Sequence, residues 1–400
     1  MGLRLFEQTM VIDVDTHVTE PPDTWTARVS SKWGDAVPHV ERIKDKDMWV
    51  AGGTKLAIPG QSAMAGFDGT LPDHPLTYED MPKAAWDAAA RVEFMDTQGI
   101  WAQILYPNVG GFGGGYWAQL HDQELALACV RAFNDFQTDF CSVAPDRLFA
   151  ITAVPFWDLD ATLAEVARCR EMGHVGINFS NAPDALGAPP LFDPHWDPLW
   201  SFAQDAGAPI NFHIGSGDFT TWVRNTRGLA FRTNFARASS LMMMSNVQCV
   251  ADLIFGGVCH RFPDLDLVSV ESGIGFMPSI LETFDWQWRN GGIAGEHPEY
   301  DLLPSEYFKR QIYATFWFER SSATYGIEEL PDSIMFETDF PHPTCQHPGP
   351  QTPAIEPAAY AEQVLGHLPE ATVEKLLAGT ASRVYGIDVP NLAQVTAGVG

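Results

Sequence analysis

The chain has 400 residues, 46% hydrophobic and 12% aromatic, which is enough for one large barrel or two ordinary domains and excludes a disordered chain. With 51 acidic against 24 basic residues, its net charge of −27 repels nucleic acid and anionic membrane, so the expected partner is a small-molecule substrate. The six cysteines form no C-x-x-C pair, MGLRLFEQTM lacks the apolar stretch of a secretion signal, and no apolar run nears the roughly 18 residues of a membrane span. Reduced thiols and a cytoplasmic location are the expectation.

In chain order, eight short apolar runs read as strands: MVIDVDTH (10–17), WAQILYP (101–107), LFAITAVPF (148–156), HVGINFS (174–180), APINFHIG (208–215), LDLVSVES (265–272), IYATFWFE (312–319) and IMFETDFPH (334–342). Continuous apolar runs suit parallel strands covered on both faces. Helical periodicity fills the gaps. AAWDAAARVEFMDTQG ends on Gly99 as a C-cap, and LDATLAEVARCREMG is entered through Asp158 and Asp160 as candidate N-caps. Eight strands alternating with helices predict a (β/α)8 TIM barrel over residues 1–390 as a single domain, with a tail at 391–400. Long insertions, 18–79 and 216–241, leave predicted strands 1 and 5 at the ends where barrel enzymes build their sites.

The ionisable residues gather at those same ends. Strand 1 finishes with Asp15 and His17, two apart and so on one face; strand 5 with His213; strand 6 with Glu271; strand 8 with Asp339, His342 following three residues on. A closed barrel brings these tips to one axis. Burying three acids together without a cation costs several kcal/mol, whereas carboxylates and imidazoles together suit Zn²⁺, Mn²⁺ or Fe²⁺.

The stretches DVDTHVTEP, FMDTQGIWAQILYP, PDRLFAITAVPFWD, FHIGSGD, HRFPDLDLVSVESGIGFMP and ETDFPHP span the predicted barrel from first strand to last. Through them the chain resembles the amidohydrolase-related branch of the metal-dependent hydrolase superfamily, which includes the aminocarboxymuconate-semialdehyde and resorcylate-type decarboxylases. The resemblance implies a metal at the barrel mouth held by Asp15, His17, His213 and Asp339. It also marks two departures: strand 4 has no lysine to carry a carbamylated bridge, and Glu271 stands where the decarboxylases carry a histidine.

Three readings of the chemistry stay open. For hydrolysis, a cation on Asp15, His17 and His213 lowers the pKa of water, with Asp339 as ligand and base and His342 as shuttle. For non-oxidative decarboxylation, the cation clamps a substrate carboxylate, and Arg224, Arg227 and Arg232 of the strand-5 insertion are candidates to recognise it. For oxygenation, His17, His213 and one carboxylate make an iron set, with Glu271, Glu20 and His342 able to hold a second ion. A non-catalytic metal-binding partner subunit is a fourth reading, which Asp339 as a proton-handling group argues against. One ion is the expectation, within a homo- or hetero-oligomer.

Other features carry less. The loop GGFGGG (110–115) lacks dinucleotide-site spacing and reads as a mobile rim. LMMMS (241–245) reads as packing or a subunit contact, and Glu20 as a partner orienting His17. His260 reads as a helix C-terminal cap, and His74 as a loop residue able to reach the pocket. Trp157, Phe316, Trp317, Phe318 and Phe340 suggest a partly apolar substrate, with Trp317 the expected contact and some of the others facing the helices.

Overall fold

The computed structural model describes residues 5–217, 219–224 and 228–390. Its strands are β1 (Ile12–His17), β2 (His39–Ile43), β3 (Lys46–Ala51), β4 (Thr54–Ala57), β5 (Ala102–Tyr106), β6 (Leu148–Ala153), β7 (Gly176–Phe179), β8 (Ile210–His213), β9 (Leu267–Val270), β10 (Ile312–Phe316) and β11 (Ile334–Phe336). Eight of them form one sheet in the order β1-β5-β6-β7-β8-β9-β10-β11, every pair parallel. Just past β11 the chain returns to β1: the His17 N–H donates to the Phe340 carbonyl at 2.7 Å, and the Asp339 N–H to the Asp15 carbonyl at 2.9 Å. This is the expected (β/α)8 barrel, its seam closed beside the acidic strand tips.

The strands form where apolar runs can be covered on both faces, and β1, β5, β7, β8, β9, β10 and β11 are buried along their whole length. The caps expected from sequence are in place: the Asp158 side chain accepts from the Ala161 N–H, and Gly99 ends its helix at φ 70°, left-handed. Inside the barrel, Ile12, Val14, Ile104, Ile151, Val268 and Met335 pack with the C-terminal helix Thr380–Tyr385, which stops the end where the strands begin. The Tyr385 hydroxyl donates to Asn211 Oδ1 at 2.6 Å, joining that helix to the interior. The opposite end, where the strands finish, is left for chemistry.

The first insertion is more ordered than its Pro/Gly content suggested. It holds an antiparallel sheet, β2-β3-β4, turned at Lys44–Asp45 and Gly52–Gly53, all four at positive φ as two-residue hairpins require. Trp49 of β3 is fully buried against Trp25, edge to face at 5.0 Å. The second insertion holds the helices Phe219–Val223 and Phe231–Met242, the latter running on into Met244–Phe255. Together Phe231–Phe255 are 25 residues, and among the described residues this is the one helical run long and apolar enough to cross a membrane; 39% of its most apolar window is buried. The expectation that no apolar run reaches that length is therefore corrected. Asn246, within that run, turns inward, its amide donating to the Phe212 carbonyl at 2.8 Å and to Ser269 Oγ at 3.0 Å. The tail 391–400 lies outside the described residues.

Candidate metal centre

Alternation along β1 turns Asp15 and His17 inward while Thr16 turns out, its hydroxyl donating to the Ile104 carbonyl at 2.8 Å. His213 ends β8, Glu271 follows β9 and Asp339 follows β11. Glu271 and Asp339 stand at φ 55° and 57°. Non-glycine residues adopt this left-handed conformation at a cost of about 1–2 kcal/mol, which a surrounding structure sustains mainly at functional sites. The Glu271 N–H donates to Thr315 Oγ1 at 3.0 Å, and the Asp339 N–H is held by Asp15, so each carboxylate swings in as its strand ends.

The result is one compact cluster. His17 Nε2 lies 3.1 Å from His213 Nε2, 3.5 Å from Asp15 Oδ1 and 3.7 Å from Asp339 Oδ1. His213 Nε2 lies 3.6 Å from Asp15 Oδ2 and 3.4 Å from Glu271 Oε2. Ligand atoms about 2.1 Å from a shared cation stand roughly 3.0–3.5 Å from one another, in octahedral or tetrahedral geometry alike. Three triads have donor atoms within 4.8 Å of one another: Asp15–His17–His213, His17–Asp339–His342 and Asp15–Glu271–Asp339. Glu271 and His342 fall in different triads, each sharing Asp339.

The hydrogen bonds behind the imidazoles say what the gap accepts. His17 Nδ1 is 3.1 Å from the Pro107 carbonyl, and His213 Nδ1 is 2.8 Å from the Ile214 carbonyl. A carbonyl can only accept, so both Nδ1 atoms carry hydrogen, and the two Nε2 atoms face each other needing something positive between them. Both carboxylate oxygens of Asp15 are buried without a hydrogen-bond partner. Burial opposes charge on His213, but Asp15 and Glu271 outweigh it and push that imidazole up to about 9; burial, then His342 and His213, holds His17 well below its usual value. The cluster therefore takes a cation, or in its place one proton on His213. Asp15, His17, His213 and Asp339 fit a divalent metal, with Glu271 able to join them.

Around this centre lie groups able to move a proton. His342 Nδ1 is 2.7 Å from Asp339 Oδ1, and its Nε2 is 2.7 Å from Asn108 Oδ1. Burial, then the negative charge of Asp15, holds the Asp339 carboxyl well above its ordinary range, while burial and the charge of His213 hold His342 down to about 3. The Thr344 hydroxyl donates to Asp339 Oδ2 at 2.8 Å, and Trp317 Nε1 donates to the Thr344 carbonyl at 3.0 Å.

Several expectations change. Glu20 does not touch His17; its Oε1 accepts from the N–H groups of Asn108 and Val109, at 2.9 and 3.0 Å, and Pro107 orients the imidazole instead. Among the described residues Glu20 joins no ligand triad, so it does not help to hold a second ion. His74 bonds the Pro75 carbonyl, away from the centre. Phe316 faces the helices on Phe336 and Tyr360, because Thr315 takes the inward position of β10; Trp317 is buried behind Asp339, and Phe340 stacks on Phe94 at 4.2 Å. Phe318 is exposed, and Trp157 lines a separate surface hollow. Arg232 lines a cavity of about 250 Å³ beside His342, its guanidinium bonded to Thr70 and, at 3.1 Å, to Asp73. Arg224 is exposed and outside that lining, and Arg227 lies outside the described residues.

Reading the sequence also passed over functional neighbours. Phe112, from the glycine-rich loop, lies over the imidazoles of His213, His17 and His342 at 4.4, 5.0 and 5.6 Å. Glu337 is fully buried two residues before Asp339, one oxygen without a partner, and burial with the nearby acids holds its carboxyl well above the usual range. The E-x-D spacing of FETDF, which mirrors D-x-H in β1, was the available signal.

Residues 12–387 match the amidohydrolase family model. The chain is 31% identical over 271 residues to a γ-resorcylate decarboxylase from Rhizobium sp. (strain MTP-10005), covering 64% of this chain and 77% of that one. It is 22% identical over 328 residues to 2-amino-3-carboxymuconate-6-semialdehyde decarboxylase from Dictyostelium discoideum, covering 78% and 80%. A solved dihydroxybenzoic acid decarboxylase from Polaromonas sp. JS666, with bound manganese and the inhibitor 2-nitroresorcinol, superposes with a TM-score of 0.62 at 20% identity, covering 96% of this chain and 99% of that one. The chain belongs to the amidohydrolase family, in the branch that holds these decarboxylases, and is a metal-dependent enzyme of the hydrolase or carboxy-lyase kind.

Proposed function

We propose that the enzyme releases carbon dioxide, without an oxidant, from a hydroxylated aromatic carboxylic acid, with a single Mn²⁺ on Asp15, His17, His213 and Asp339. The observation that carries this reading is the meeting of two oriented imidazoles and the unpartnered Asp15 carboxylate in a dry gap of cation size, in a chain whose relatives decarboxylate carboxylated substrates. A divalent cation there supplies positive charge for a substrate carboxylate and a neighbouring oxygen. The chain does the rest. His342, its Nδ1 2.7 Å from Oδ1 of the ionised Asp339, would deliver a proton to the ring carbon that bears the carboxylate; the C–C bond then breaks and the ring regains its aromatic electrons as carbon dioxide departs. Asn108 keeps His342 in line, and Thr344 fixes the far oxygen of Asp339. Arg232, on the cavity beside His342, is placed to receive a second acidic substituent by exchanging its partner Asp73.

Hydrolysis would use the same groups, but the curated relatives named above break a carbon–carbon bond instead. The oxygenase and non-catalytic readings are not favoured, since the curated relatives named above are decarboxylases. A cytoplasmic oligomer belongs to the same reading, the half-covered Phe231–Phe255 run offering a surface for a second subunit. The test is anaerobic incubation of metal-stripped enzyme, reloaded in turn with Mn²⁺, Zn²⁺ and Fe²⁺, with 2,6-dihydroxybenzoate and related acids. Carbon dioxide released without oxygen is expected, fastest with Mn²⁺; turnover that requires dioxygen, or hydrolysis of amides or esters alone, overturns the reading.

A further inference from the structure

Asp15, His17, His213 and Asp339 are wholly buried, and of the cluster only Glu271 at 8% and His342 at 6% reach solvent at all. A substrate therefore reaches the gap only past the thin exposed edges of Glu271 and His342, beside the cavity that His342 lines. The side chain lying across the gap is Phe112, whose ring packs on all three imidazoles. A phenyl ring offers these polar groups no hydrogen bond; what it does there is keep water out.

Phe112 stands alone among five glycines, in GGFGGG. Gly110, Gly111 and Gly114 adopt φ of 93°, 85° and 74°, which side-chain-bearing residues rarely reach. Gly113 fits so tightly against the turn after β8 that a Cβ there would come within 2.3 Å of the Ser216 carbonyl oxygen. The loop is thus pressed on the barrel at Gly113 and held by the Asn178 amide, which donates to the Phe112 carbonyl, with conformationally free glycines on either side. An anchored backbone between glycine joints lets the ring turn while the loop stays attached.

The geometry points to Phe112 as the gate of the metal centre and the wall against which a flat substrate ring is held once the gate has opened. The ring-holding half rests on the decarboxylase reading above; the gate does not. The test compares wild type, Phe112→Ala and Phe112→Leu as Mn²⁺-loaded protein, in two measurements. In the first, no substrate is present and excess chelator is added: metal loss should be about tenfold faster in Phe112→Ala, with Phe112→Leu between. In the second, KM for 2,6-dihydroxybenzoate should rise about two- to tenfold in Phe112→Ala, and by more than kcat falls, as expected for the loss of one aromatic pair. Metal loss at the wild-type rate in both variants overturns the gate. Faster metal loss with unchanged KM overturns the ring-holding role. If wild type decarboxylates no aromatic acid, the functional reading fails while the chelator measurement still decides the gate. Should Phe112→Ala not fold, Phe112→Leu decides alone.

Discussion

Asp339 does three things at once: it is a ligand candidate, its Oδ1 lies 2.7 Å from the imidazole of His342, and it turns the chain at φ 57°. Asn at that position tolerates the left-handed backbone and keeps the size, but gives up the charge that faces both the cation gap and His342. Asp339→Asn should therefore fold with an unchanged circular dichroism spectrum and lose at least about 10³-fold in kcat; wild-type rates would remove Asp339 from proton transfer. A second residue tests the interior without touching the chemistry. His174 is buried between the Thr138 and Thr152 hydroxyls, at 3.0 and 3.2 Å, and burial lowers it from 6.5 to about 4. A depressed imidazole favours the fold above its unfolded pKa, and that advantage is lost as pH falls from 6.5 through 4, amounting to about 2 kcal/mol by pH 5. Denaturant titrations at pH 7 and 5 should show His174→Gln losing about that much less than wild type. The residues legible from sequence were those whose strand ends announced them. Pro107 and Asn108 were not, because a carbonyl and an amide that orient two imidazoles across 90 and 234 residues leave no local pattern.

At the scale of elements, the first strand, the first core helix and the chain after β11 meet at the candidate metal centre. Arg91, fully buried in the helix Ala88–Gln98, donates to the His17 carbonyl at 2.7 Å and to Gln103 Oε1 at 3.2 Å, and its guanidinium lies over the Phe340 ring at 4.8 Å. It holds the backbone of one candidate ligand and the residue after another. Arg91→Met keeps the stem but leaves that carbonyl and amide buried without a donor, a loss of about 2–4 kcal/mol. Chemical denaturation should show that loss together with weaker Mn²⁺ binding, since β1 and the seam would shift together; unchanged metal affinity would confine Arg91 to stability. The barrel strands were readable because parallel strands buried on both faces are unbroken apolar runs. β2, HVERI, escaped notice because it is polar, half exposed and built by a local hairpin. Inward and outward faces of β10 could not be separated by composition, since Thr315 rather than an aromatic takes the inward register and sends Phe316 to the helices.

For the molecule as a whole, a cation at the candidate centre would close a circle that backbone hydrogen bonds close only at its rim. β1, β8 and the segments after β9 and β11 each send a candidate ligand inward, and the seam between β1 and the chain past β11 rests on a few main-chain bonds. The acidity concentrated there belongs to a chain of net charge −27, so a divalent cation relieves local repulsion and the overall excess together. Binding to the folded state alone stabilises it by RT ln(1 + [M]/Kd), about 2.7 kcal/mol at a hundredfold excess over Kd. Spread over the unfolding entropy of a 400-residue chain, about 0.8 kcal/mol/K, that raises Tm by about 3 °C. Calorimetry of chelator-treated protein should show Tm falling by that amount and returning with Mn²⁺. Asp15→Asn should show neither change, because it removes a candidate ligand charge from the gap. A Tm indifferent to metal in wild type would mean that the strand tips are held by protons instead, and that the seam needs no cation to stay closed.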